Sequence, residues 1–188
     1  MESPEKTLLA GNWIMVLCGA FYLAWWIIVF RPPRMRSSPV GWGMLSLAFM
    51  AGIVGVYLMG KALNAPVPEI HSGMRGLWIV AAGAVCYAIL LWASTALFHR
   101  QVTSELLIIT AWAVLELCTV NFLYRGGAVA QTPALILAGM VLAGMIGSLV
   151  CYLLYYRLPY VQSFIVGCIP LVLAEITMLA INCVTNRS

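Results

Sequence analysis

Long apolar stretches separated by short polar segments dominate the hydrophobic pattern of this chain. A helix rises about 1.5 Å per residue, so roughly 20 apolar residues cross a hydrocarbon core about 30 Å thick. The pattern therefore predicts an all-α, polytopic membrane protein that forms a single integral membrane domain over residues 1–188. Its six predicted transmembrane helices cover residues 8–30, 40–63, 76–98, 105–124, 133–156 and 160–184.

The polar segments between these stretches are typical of helix connections. Residues 31–39 are rich in Pro, Arg and Ser, which end a helix and tolerate exposure. Trp25 and Trp26 precede this segment, as aromatic side chains do at a lipid headgroup boundary. The connection Leu158-Pro159 is so short that the fifth and sixth helices must be antiparallel neighbours. The first apolar stretch is too long for a signal peptide, and we expect it to remain as a helix.

Composition supports a lipid environment and limits the classes of molecule that the protein can bind. The chain is 63% hydrophobic and 9% charged, with a mean hydropathy of +0.99, so its polar surface is too small for a water-soluble globule. Ten basic and six acidic residues give a net charge of +4, but the basic residues form no extended face, which argues against nucleic acid as a partner. The expected location is a bacterial plasma membrane, with the lipid bilayer as the main partner and homo-oligomerisation left open.

Glu116 is the first candidate for function because it lies near the middle of the fourth apolar stretch. An acidic residue at the bilayer centre costs roughly 2.5 to 3.5 kcal/mol. Glu116 should therefore be protonated, paired with a polar neighbour, or face a wet cavity. At helical spacing Trp112 and Thr119 share its face, whereas Asn121 is rotated by about 140° and is expected to meet a different helix.

Glu175 repeats this feature in the sixth stretch, where Asn182 shares its helix face at a spacing of seven residues. The two carboxyls lie about eleven and fifteen residues from the starts of two helices that run in the same direction, which predicts depths differing by about 6 Å. Like charges at such a distance do not both ionise cheaply, so the pair could share a proton or bind a cation. The structural alternative is that each carboxyl is protonated and hydrogen-bonds neighbouring helices together.

Small residues one turn apart predict close helix packing, at Ala48, Gly52 and Gly55 in the second stretch and again in the fifth. Residues 47–63 also match residues 142–158 at several positions with a constant offset. This match raises the hypothesis of a 3+3 inverted repeat, the plan of many transporters, whose binding sites lie near the bilayer midplane.

These patterns fit three classes of function to different degrees. We expect a transporter or channel for a small solute or ion, with a path lined by Glu116, Glu175, Thr119, Trp112, Asn182 and Asn121. The alternative is a non-transporting membrane subunit or assembly factor that docks partner helices through Gly/Ala-rich faces. An enzyme is not expected, because HExxH, GxSxG and nucleotide-binding glycine loops are missing from the sequence.

No cofactor or metal is expected either. The two histidines of the chain, His71 and His99, fall in connections on opposite sides of the predicted membrane, about 30 Å apart, so they cannot share one metal or haem. All six acidic residues are Glu, which argues against the clustered Asp carboxylates of many magnesium sites.

Overall fold

The computed structural model describes residues 3–32, 38–65, 73–98 and 104–186, and this part of the chain is helical with no strand. The six predicted helices are confirmed, with ends displaced by a few residues at most. His71 and His99 lie outside the described residues. The helices are α1 (Pro4–Phe30), α2 (Pro39–Leu63), α3 (Gly73–Phe98), α4 (Ser104–Arg125), α5 (Gln131–Tyr155) and α6 (Tyr160–Thr185).

Five of the helices are long and apolar enough to cross a membrane, namely α1, α2, the Leu106–Arg125 part of α4, α5 and α6. The described apolar run of α3, Leu77–Ala93, is shorter, so its membrane crossing stays a prediction. Large apolar side chains cover the outer surface, with Trp92 70% and Phe49 68% exposed. A continuous apolar surface of this kind is unfavourable in water and suits a lipid environment. The fold is therefore that of a multi-pass membrane protein.

The helices pack so that α1 lies between α2 and α6, and α5 lies between α6 and α4. Helix α3 packs mainly on α4, which also touches α2 and α6. The inverted repeat is not confirmed by this arrangement. Under that hypothesis α2 should pack on α3 as α5 packs on α6, yet the described residues show no comparable α2–α3 interface.

Glycines bring α1 and α2 into backbone contact. A β-carbon added to Gly11 of α1 would lie 2.7 Å from Met59 Cγ, and one added to Gly55 of α2 would lie 2.9 Å from Met15 Sδ. Gly52 faces Cys18 of α1, and Ala48 is buried. The close-packing face predicted for the second stretch is thus confirmed, and the structure identifies α1 as its partner, because side chains of this size let two helix backbones approach closely.

The two ends of the bundle are built differently. A continuous hydrophobic core occupies the end where α1 and α5 begin and α2, α4 and α6 finish, and its fully enclosed side chains include Leu8, Met59, Leu123, Leu137 and Ile181. Aromatic rings gather at the opposite end, where α1 and α5 finish and α6 begins. An aromatic cluster at a helix end fits the headgroup boundary predicted there.

Candidate intramembrane polar site

Glu116 lies inside the bundle on α4, with 0% of its surface exposed. Neither Oε1 nor Oε2 has a hydrogen-bond partner among the described residues. Buried polar atoms in folded proteins are nearly always hydrogen-bonded, and leaving one unpaired costs roughly 1 to 3 kcal/mol. An enclosed carboxyl with both oxygens unpaired among the described residues is therefore a costly feature, which a bound proton, water or polar ligand would offset.

Trp112 and Thr119 flank this carboxyl on α4, at the spacing that the sequence predicts. The indole Nε1 of Trp112 is buried and lacks a hydrogen-bond acceptor within the described structure. The hydroxyl of Thr119 is fully buried and donates to the Leu115 carbonyl oxygen at 3.0 Å, so it can still accept a hydrogen bond from a ligand. The face thus combines an unpaired donor, an unpaired carboxyl and a hydroxyl acceptor.

Gly144 of α5 fixes the level of this face relative to α6. A β-carbon on Gly144 would lie 3.3 Å from Trp112 Cη2 and 3.7 Å from Thr177 Oγ1, so the edge of the Trp112 ring and the Thr177 hydroxyl lie at the same level. Both α4 and α6 are antiparallel to α5 and therefore run in the same direction. Glu116 lies one turn, or about 6 Å, beyond Trp112 on α4, and Ile181 lies one turn beyond Thr177 on α6.

The same register separates the two carboxyls. Glu175 precedes Thr177 by two residues whereas Glu116 follows Trp112 by four, so the two carboxyls lie at different depths in the bundle. Glu175 and Thr177 are also two residues apart on α6 and so point to nearly opposite sides of the helix. Since Thr177 faces α5, Glu175 faces away from it, toward α1. The two carboxyls thus have different neighbours and do not form a facing pair.

Glu175 occupies the seam between α6 and α1. Its side chain is half-buried, and its Oε1 atom is buried with no hydrogen-bond partner in the described part of the chain. The carboxyl lies against Gly19 of α1, in space that a β-carbon on residue 19 would occupy. Gly19 therefore makes room for this carboxyl in the α1–α6 interface.

Asn182 meets a residue that the sequence analysis did not single out. Asn12 of α1 donates from Nδ2 to Asn182 Oδ1 at 3.3 Å and to the Met178 carbonyl oxygen at 3.4 Å. Both asparagines are 0% exposed. An amide inside the first apolar stretch was the available signal for Asn12, because polar side chains are rare and costly in a transmembrane segment. Asn121, by contrast, is half-buried on another face of α4, and its role stays a prediction.

Six buried side-chain atoms on α1, α4 and α6 thus lack hydrogen-bond partners within the described residues, and they include both donors and acceptors. Unpaired polar atoms gathered in a membrane bundle mark a place where water or a polar ligand can bind. The atoms are Asn12 Oδ1, Trp112 Nε1, Glu116 Oε1, Glu116 Oε2, Glu175 Oε1 and Asn182 Nδ2.

Comparison of the chain with known protein families, with characterised proteins and with solved structures gives no match. The geometry of the polar site is therefore the basis for a function.

Proposed function

We propose that this protein is an integral membrane transporter or channel for a small solute or ion, and that Glu116 binds a proton or the cargo during passage. The observation that supports this function is the fully enclosed Glu116 carboxyl with two unpaired oxygens. Ionisable residues retained inside transmembrane bundles commonly belong to proton relays or substrate paths, because their cost to folding is high.

A purely structural role fits Glu116 less well. A carboxyl that holds helices together should form hydrogen bonds to their side chains or carbonyls, and those bonds are what offset its burial. Glu116 forms none with the described residues. A proton, a water or a cargo molecule that reaches the carboxyl would supply the missing hydrogen bonds, and this gain favours binding at the site.

The other site residues take supporting roles in this proposal. Trp112 and Thr119 offer a donor and an acceptor beside Glu116, and Glu175 supplies a second, more accessible carboxyl at a different depth in the bundle. Two carboxyls at different depths can act in succession as a proton or cargo passes. No catalytic step is part of this function, and the proposed location is a bacterial plasma membrane.

Flux through liposomes tests the proposal. The full-length protein would be purified, reconstituted and assayed with sodium, potassium, glycerol and acetamide, comparing the wild type with Glu116→Gln and Glu175→Gln. We expect Glu116→Gln to lower the flux of the transported probe by about tenfold or more, because an amide cannot bind or release the proton. Glu5→Gln is the matched control, since Glu5 lies in the first turn of α1, away from the enclosed site. Equal flux in all four proteins would contradict the proposal.

The exposure of α3 favours one alternative, a non-transporting subunit that docks a partner helix. This helix packs mainly on α4 and exposes Leu77, Trp78 and Trp92. The Gly/Ala faces of α2 and α5, expected to serve docking, instead contact other helices of the same chain, at Gly55 and Gly144. A wild-type protein that moves none of the four probes would favour this alternative.

A further inference from the structure

The seam between α1 and α6 contains a pair of amides that the carboxyl at Glu116 does not explain. Asn12 and Asn182 are both 0% exposed, and each keeps one buried atom without a partner among the described residues. We propose that this pair binds a small neutral solute carrying both a hydrogen-bond donor and an acceptor. This inference rests on the proposed transport function and names the class of cargo.

The hydrogen bond between the two amides determines what they offer to a ligand. Asn12 Nδ2 donates to Asn182 Oδ1, which leaves Asn12 Oδ1 as a free acceptor and Asn182 Nδ2 as a free donor. Asn12 Nδ2 also donates to the Met178 carbonyl oxygen, which an amide oxygen in its place could not do, so the orientation of Asn12 follows from this bond. One amide oxygen and one amide nitrogen therefore remain without a partner among the described residues.

A neutral solute fits this combination better than an ion does. A bare cation needs oxygen ligands, and the free N–H of Asn182 would repel it. An anion would be repelled by the partial negative charge of Asn12 Oδ1. A molecule with neighbouring donor and acceptor groups, such as an alcohol or a primary amide, can satisfy both free atoms at once.

Glu175 connects this amide pair to a more accessible part of the seam. It lies seven residues before Asn182 on the same helix face, about 10 Å along the axis, and it is half-buried whereas the amides are enclosed. Its unpaired Oε1 lies against Gly19, so the α1–α6 seam has polar side chains at two levels, Glu175 and the Asn12–Asn182 pair. A polar solute could follow this seam toward the interior.

Asn182→Asp tests the inference, because it replaces the free donor with an acceptor and keeps Oδ1 available for Asn12. Liposomes would be assayed with glycerol and acetamide as neutral probes and with sodium and potassium as ionic ones. We expect the flux of the neutral probes to fall by about tenfold or more, the effect of one unpaired buried group. Asn186→Asp is the matched control, since the same change is made one turn further along at an exposed helix end. Size-exclusion profiles and thermal unfolding would verify that both variants fold.

The outcomes separate this inference from the role of Glu116. Unchanged neutral flux in folded Asn182→Asp would overturn the inference and leave the amides with a bound structural water. Sodium or potassium flux without neutral flux in the wild type would also overturn it, while the carboxyl-lined path would stand. Neutral flux that is lost in Asn182→Asp but kept in Glu116→Gln would support the amide site and overturn the role of Glu116.

Discussion

The Glu175 carboxyl of α6 lies against Gly19 of α1, in the space that a β-carbon at residue 19 would fill. A larger residue at position 19 would make the end of the Glu175 side chain move, because its carboxyl approaches residue 19 from another helix. The arrangement joins a small residue in the first helix to an acidic residue in the last, 156 positions later in the chain.

Gly19→Ala should therefore displace the carboxyl and disturb the α1–α6 seam. We expect the free energy of unfolding to fall by about 0.5 to 1.5 kcal/mol, the cost of forcing one side chain away from its preferred rotamer. The measurement is thermal or denaturant unfolding in detergent micelles. Gly139→Ala is the matched control, because a β-carbon on Gly139 meets nothing within 4 Å. If the double variant Gly19→Ala/Glu175→Ala is no more stable than Gly19→Ala alone, the contact with Glu175 is not the cause.

Replacing Glu116 with Met separates a structural role from a functional one. Met is of similar length and removes both unpaired oxygens from an enclosed site, so the free energy of unfolding should rise by about 1 to 3 kcal/mol while solute flux is lost. Unfolding in micelles and flux in liposomes would be measured on the same preparation. A Glu116→Met variant that is less stable than the wild type would indicate that the carboxyl holds helices together.

The sequence predicted the helices well because membrane spans depend on local hydrophobicity and length. It also indicated, through Gly52 and Gly55, the face of α2 that packs closely, because small residues allow helix backbones to approach. It did not indicate which helix Glu175 faces, because that depends on the register between α1 and α6, which no local pattern encodes. Asn12 was missed for a related reason. A single amide near the start of an apolar stretch does not indicate a site by itself, and its role is visible only from the hydrogen bond to Asn182.

Close packing of α1 on α2 leads to a prediction about Gly55. A β-carbon at this position would lie 2.9 Å from Met15 Cγ and 3.2 Å from the Gly11 carbonyl oxygen, so Gly55→Ala must push the two backbones apart. The expected loss in the free energy of unfolding is about 1 to 3 kcal/mol. Gly60→Ala on the same helix meets nothing within 4 Å and should be neutral or slightly stabilising, because Ala favours the helix. Equal stability of the two variants would contradict the backbone contact.

Trp26 links α1 to α6 at the aromatic end of the bundle. Its Nε1 donates to the Phe164 carbonyl oxygen at 3.3 Å, its ring stacks on Phe30 with centroids 4.4 Å apart, and it lies against Gly167. Trp26→Phe keeps an aromatic ring but removes the donor and part of the contact with Gly167. We expect the free energy of unfolding to fall by about 1 to 2 kcal/mol, from one lost hydrogen bond and some lost packing.

The control for this last change is Trp13→Phe, on the same helix but 43% exposed. It makes the same chemical substitution at a side chain that faces outward, so its unfolding midpoint should stay close to that of the wild type. A smaller loss for Trp26→Phe than for Trp13→Phe would mean that Trp26 acts as a lipid anchor alone. The larger loss expected at Trp26 would instead assign it to the α1–α6 interface, the same seam that places Gly19 against Glu175 and Asn12 beside Asn182.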